Sequence, residues 1–266
     1  MRLACSDSRS SPILVLLHGF PLSRAMWDGQ IEALGSVCRI IAPDLRGHGE
    51  SDAPDGVYAM DEMADDVIEL LDAMGITQPV VLGGLSMGGY VALSLVLRYP
   101  ERVCGLMLMD TRAAADTPET ARGREETART VLHEGDGHSM IETMIPRLFS
   151  KSTREKLPHK VGAMLAVMER TSSQGIAGAL RGMAVRPDRR DDLSKITVPT
   201  LVLVGEDDAV SPVDEAREIA GRIPQARLVV IPGAGHLSPF ENPTATNAAI
   251  LGFLAELPGL AATVTA

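Results

Sequence analysis

Along the chain, short and almost wholly apolar runs bounded by glycine, proline or charge alternate with longer stretches in which apolar residues recur at helical spacing. Runs at 13–17, 39–42, 80–82, 105–109, 201–204 and 227–231 read as β-strands, and their unbroken apolarity fits strands covered on both faces, hence a mainly parallel sheet. Between them, Met63, Val67, Leu70, Leu71 and Met74 lie at helical spacing with Gly75 placed as a C-terminal stop. A last helix is expected over 243–257, with 260–266 a frayed tail. The alternation breaks between 111 and 195, where helical patterns dominate and no strand is read. That predicts a core of 1–111 and 196–266 carrying a helical cap insertion, 112–195.

One strand runs straight into a motif with chemistry. Val80-Val81-Leu82 is followed by Gly84-Leu85-Ser86-Met87-Gly88, a G-x-S-x-G turn, and then by an amphipathic helix expected over 90–99. Reversing from strand to helix at one residue strains the backbone of Ser86, and only small neighbours leave room for it. Serine is a poor nucleophile unless an imidazole takes its proton, and the imidazole needs a carboxylate to hold its tautomer. Two later strands end in such groups: Gly205-Glu206-Asp207-Asp208 follows one, and Gly233-Ala234-Gly235-His236 another. Ser86, Asp208 and His236 are therefore the candidate triad. Asp208 is preferred to adjacent Asp207, and to Asp110 at the end of the strand after the nucleophile helix, because it holds the fourth position of G-x-x-D. The first strand leads into His18-Gly19-Phe20-Pro21. Its turn and the start of the nucleophile helix supply the backbone N–H groups of Phe20 and Met87 as a candidate oxyanion hole. His18 and His48, in glycine turns, are read as loop-ordering residues, together with Asp44, Arg46 and Ser51.

HGFPLSRAMW (18–27), DLRGHGESD (44–52), GLSMGGYVAL (84–93), YPERV (99–103), VGEDDAVSP (204–212) and GAGHLSPFENP (233–243) occur in an order that resembles the α/β-hydrolase family over nearly the whole length. The wording is most similar to the bacterial branch holding carboxylesterases, 3-oxoadipate enol-lactonases and cofactor-free haloperoxidases or perhydrolases. The resemblance implies a mainly parallel sheet with helices on both faces, the chain order Ser, Asp, His for the triad, and acyl transfer through Ser86 with no metal or organic cofactor. A serine at 86 separates the chain from haloalkane dehalogenases and most epoxide hydrolases, which use aspartate, and from dienelactone hydrolases, which use cysteine. The HGGPG of proline iminopeptidases and the HGxGPG of carbon–carbon bond hydrolases are absent after His18. Residues 1–11 are too few for the full amino-terminal hairpin of many members, so the first strand is expected to be missing. The expected substrate is a small carboxylic ester or lactone. Perhydrolysis within the same fold, and a ligand receptor retaining the triad, stay open as alternatives.

Composition narrows the setting. At 266 residues, 45% hydrophobic and 23% charged, the chain can bury one large core. A net charge of −10 argues against nucleic acid as a partner. No apolar run is long enough to span a bilayer and 1–11 lacks an apolar signal region, so a cytoplasmic enzyme is expected. Cys5, Cys38 and Cys104 have neither metal-like spacing nor an even count, and read as reduced thiols. Residues 112–195 hold 15 basic and 12 acidic side chains, net +3, against −13 for the rest. Such charge is ordinarily solvated; the alternative is attraction of an anionic substrate. Met140, Met144, Met164, Met168 and Met183 are either ordinary core or the lining of an adaptable acyl pocket.

Overall fold

The computed structural model describes residues 1–7 and 12–257; the tail expected at 260–266 lies outside them. Strands and helices alternate through the first part of the chain: β1 (Cys5–Asp7), β2 (Ile13–Leu17), α1 (Asp28–Leu34), β3 (Arg39–Pro43), α2 (Met60–Ala73), β4 (Val80–Leu85), α3 (Met87–Arg98) and β5 (Val103–Met109). Five helices follow with no strand among them: α4 (Pro118–Glu134), α5 (His138–Leu148), α6 (Lys151–Lys156), α7 (Pro158–Met168) and α8 (Ser173–Ala184). The chain then returns through β6 (Thr200–Gly205), α9 (Val213–Arg222), β7 (Ala226–Ile231), the short α10 (Ser238–Glu241) and α11 (Pro243–Glu256).

The seven strands form one sheet in the order β1-β3-β2-β4-β5-β6-β7, parallel throughout except for β1. Parallel strands with both faces covered need apolar side chains at successive positions, and β2, β4 and β6 supply them. Val15 and Leu17 point into a core shared with Met63, Val67 and Leu71 of α2 and Val91 and Leu95 of α3. Leu14 and Leu16 face the other way, toward Trp27, Leu34 of α1 and Ile250, Phe253 and Leu254 of α11. Each such side chain, fully buried, contributes about 1.5–3 kcal/mol, so both faces of the sheet contribute to its stability.

Two expectations are corrected. The first strand is present: Cys5–Asp7 pairs antiparallel with β3, Cys5 opposite Pro43 and Asp7 opposite Ile41. An edge strand needs only backbone partners, and the Asp7 carboxylate adds a two-pronged ion pair with Arg39, at 2.8 and 2.9 Å. The helix after the G-x-S-x-G turn begins at Met87 rather than at 90, and β4 runs on to Leu85, because a single residue makes the whole reversal between them.

Within the helical excursion, local signals set the boundaries. The Thr117 hydroxyl accepts from the Thr120 N–H, Pro118 takes the first position of α4, and Gly135 ends it at φ +85°. Ser150 and Ser172 cap α6 and α8 in the same way.

Candidate active site

The reversal between β4 and α3 sits at the carboxyl edge of the sheet. Ser86 adopts φ 53°, ψ −113°, outside the regions open to most L-residues. Such strain costs about 1–3 kcal/mol and persists only where the surroundings over-determine it. Here they do: the Ser86 N–H donates to the Met109 carbonyl at 2.9 Å, and its own carbonyl accepts from the Thr111 hydroxyl at 2.8 Å and from the Gly89 N–H at 2.9 Å. The flanking glycines are required by contact. A Cβ on Gly84 would lie 2.2 Å from the Gly88 carbonyl oxygen, and one on Gly88 2.3 Å from that of Leu17.

From this turn the Ser86 hydroxyl meets His236. Its Oγ lies 2.8 Å from Nε2, and Nδ1 of the same ring lies 2.8 Å from Oδ2 of Asp208. With the Nδ1 proton donated to the carboxylate, Nε2 is left to accept from the serine. The other carboxylate oxygen accepts from the N–H groups of Val210, at 2.7 Å, and Ser211, at 2.9 Å. Burial alone would raise the Asp208 pKa, but the charge and hydrogen bond of His236 and these two amides outweigh it and leave the group below the usual carboxylate range.

The other acid candidates are placed elsewhere. The Asp207 side chain is exposed. Asp110, at φ 47°, is fully buried and accepts from the Gly205 N–H at 2.8 Å and the Ser238 hydroxyl at 2.6 Å, with no hydrogen bond to His236 among the described residues. Burial and the negative charge of Asp208 push its pKa well above the usual range.

Met87 is the first residue of α3, so its N–H has no carbonyl to meet within the helix. Gly19 packs against the same turn: a Cβ there would lie 3.4 Å from Cβ of Ser86. Phe20, the next residue, lines the same pocket as Ser86. Phe20, Ser86 and His236 open together into a pocket of about 540 Å³. Its wall comes largely from the helical excursion, including Met140, Met144 and Met183, whereas Met164 and Met168 are core residues.

The model of the alpha/beta hydrolase fold family matches residues 12–243. The chain belongs to that family. This α/β hydrolase is 30% identical over 239 residues to 3-oxoadipate enol-lactonase 2 of Acinetobacter baylyi, covering 90% of this chain and 87% of the relative. Among solved structures, a thermophilic esterase from Thermogutta terrifontis superposes with a TM-score of 0.93 at 45% identity, over 96% of this chain and 93% of that one. The enol-lactonase of Burkholderia xenovorans LB400 does so with 0.88 at 31% identity, over 96% of each.

Sequence reasoning missed two polar groups of this α/β hydrolase. The Ser211 hydroxyl donates to Asp208 Oδ2 at 3.0 Å and lies 3.2 Å from His236 Nδ1, closing a three-membered network around the shared proton. Glu241 of α10 is buried and accepts from the Gly235 N–H at 2.9 Å through one oxygen and from the Ser150 N–H at 2.9 Å through the other. The His236 N–H itself donates to the Leu148 carbonyl at 2.9 Å. The loop carrying the histidine is thus tied to the α5–α6 connection by backbone and by carboxylate.

The two loop histidines make their hydrogen bonds to nearby backbone. His18 donates from Nδ1 to the Gly19 carbonyl and accepts at Nε2 from the Leu45 N–H, both at 2.9 Å. His48 Nδ1 donates to the Arg46 carbonyl at 2.9 Å. Burial lowers the first to about 4 and, with the charge of His18 as a second cause, the other to about 3. Asp44 accepts from the Arg24 and Glu50 amides, Arg46 grips Asp66 at 2.8 Å through two nitrogens, and Ser51 donates to the Asp44 carbonyl. Cys5 and Cys104 carry free thiols, and the buried Cys38 thiol donates to the Leu34 carbonyl at 3.3 Å. Among the described residues no cluster of His, Cys, Asp or Glu is placed to hold a metal ion, and no helix is long and apolar enough to cross a membrane.

Proposed function

We propose that the protein is a serine hydrolase of small carboxylic esters or lactones, working through an acyl-enzyme on Ser86. The observation that carries this reading is the unbroken chain Ser86–His236–Asp208, with 2.8 Å at each step, opening on a pocket large enough for a small organic ester. Relatives named as an enol-lactonase and an esterase, over nearly the full length, support the same chemistry.

In the first step Ser86 Oγ attacks the substrate carbonyl while His236 Nε2 takes its proton. Negative charge developing on the carbonyl oxygen is met by the N–H groups of Phe20 and Met87, the latter also at the positive end of α3. Collapse of the tetrahedral species passes the proton from His236 to the leaving alkoxide, or to the ring oxygen of a lactone, and leaves Ser86 acylated. In the second step His236 deprotonates water, which attacks the acyl group and releases the acid. Asp208 holds one ring orientation throughout and stabilises the imidazolium. Residues 112–195 act as the cap that shapes the acyl pocket over a core formed by 1–111 and 196–266.

A screen of short-chain aryl esters and lactones, run beside Ser86→Ala, tests this reading. Sustained turnover that falls by several orders of magnitude in Ser86→Ala is expected. A single-turnover event in the wild type would instead indicate a receptor that keeps the triad.

A further inference from the structure

Two helices of the cap turn one stripe each toward the pocket that holds Ser86. From α4 these are Thr120, Gly123, Arg124 and Thr127, and from α5 Met140, Thr143, Met144 and Arg147, both at positions i, i+3, i+4 and i+7. A site built only for a neutral acyl chain would present apolar groups along both stripes. The α4 stripe is wholly polar apart from its glycine, and each stripe contains an arginine.

The charges around this wall do not cancel. Arg112, Arg124 and Arg147 line the pocket against a single carboxylate, Asp116. Asp116 is already engaged by Arg124 and, at 2.7 Å, by Arg186 from outside the pocket, so its charge is spent twice over. Arg112 donates to the Val210 carbonyl and has Glu215 4.0 Å away. Arg147 has no hydrogen bond and no ion pair among the described residues, although the chain carries a net charge of −10. It stands one residue before Leu148, whose carbonyl accepts from the His236 N–H, and its side chain is exposed on the pocket wall.

We propose that Arg147, with Arg124 across the pocket, forms an anion subsite, and that the preferred substrate is an ester or lactone bearing a free carboxylate remote from the reacting carbonyl. The inference rests on the acyl-transfer reading of Ser86 and adds the substrate class. A guanidinium presents paired N–H donors that match the two oxygens of a carboxylate. Local positive charge is also what allows an anion to enter a strongly acidic protein.

The test compares the monomethyl and dimethyl esters of succinate, glutarate and adipate. The half-esters are expected to be hydrolysed with about tenfold higher kcat/KM than the diesters, a preference eroded by added salt. In Arg147→Gln the ratio of half-ester to diester should collapse toward one, chiefly through a raised half-ester KM. The same loss of one positive charge at exposed Lys156, outside the pocket, should keep the ratio. As a readout independent of turnover, glutarate should bind Ser86→Ala by calorimetry, and that binding should weaken about tenfold when Arg147→Gln is added. Equal rates on half-esters and diesters, or glutarate binding indifferent to Arg147, would overturn the subsite and leave the hydrolase reading standing. Failure to turn over these esters and the aryl esters and lactones alike, with glutarate still held through Arg147, would overturn the hydrolase reading and keep the subsite.

Discussion

In the proposed mechanism, the immediate surroundings of His236 single out its acid. Asp208 is the carboxylate within hydrogen-bond distance of Nδ1, and its remaining lone pairs are filled by Val210, Ser211 and the Ser211 hydroxyl. Replacing it with asparagine offers the ring a group that stabilises the wrong tautomer. Asp208→Asn is therefore expected to lower kcat by roughly 10³–10⁴. Asp207→Asn should be nearly silent, because that side chain is exposed. Asp110→Asn should act on stability, since its bonds go to Gly205 and Ser238, and folded Asp110→Asn should keep kcat within about tenfold of the wild type. Steady-state kinetics on the three variants checks the order, and a larger kcat loss in Asp110→Asn than in Asp208→Asn would contradict it.

At the scale of elements, the histidine loop is braced by the α5–α6 connection. Glu241 gives one oxygen to the Gly235 N–H and the other to the Ser150 N–H, so both its oxygens must accept. Glutamine would turn a donor toward one of those buried amides, leaving it unsatisfied at a cost of about 1–3 kcal/mol. Glu241→Gln is expected to reduce kcat by about 10–100-fold with little change in KM, because His236 loses its alignment while the pocket wall stays in place. Unaltered kcat in a folded variant would show that the brace has no part in positioning. This brace was invisible in the sequence for a plain reason: Ser150 and Glu241 stand 91 positions apart, and nothing local to either signals the other. Ser211 is a similar case, its partner His236 lying 25 positions on. The buried strands were legible because two-sided burial demands apolar runs, and Gly84, Ser86 and Gly88 because the turn admits few other residues. β1 was not, since Cys5-Ser6-Asp7 carries no apolar run and is a strand only by virtue of β3 beside it.

Over the molecule as a whole, two buried neutral histidines contribute to the response to acid. His18 and His48 take up protons near 6.5 when exposed, but near about 4 and about 3 in the fold. Between those values the unfolded chain binds more protons, so the contribution of these two histidines to stability is full above pH 6.5 and falls as the pH drops, by up to about 1.4 kcal/mol per pH unit for each. Asp110, raised by burial and by Asp208, works in the opposite sense, so a variant comparison isolates the histidine share. Urea unfolding at a series of pH values should show a steep slope in the wild type and a shallower one in His48→Leu; equal slopes would contradict the assignment. The central claim concerns what Ser86 does, and covalent trapping reaches it most directly. After reaction with an organophosphonate fluoride, intact-mass measurement and peptide mapping are expected to find one adduct, on Ser86, missing in Ser86→Ala and formed far more slowly in His236→Ala. An adduct on another residue, or ester turnover that survives in Ser86→Ala, would contradict the account.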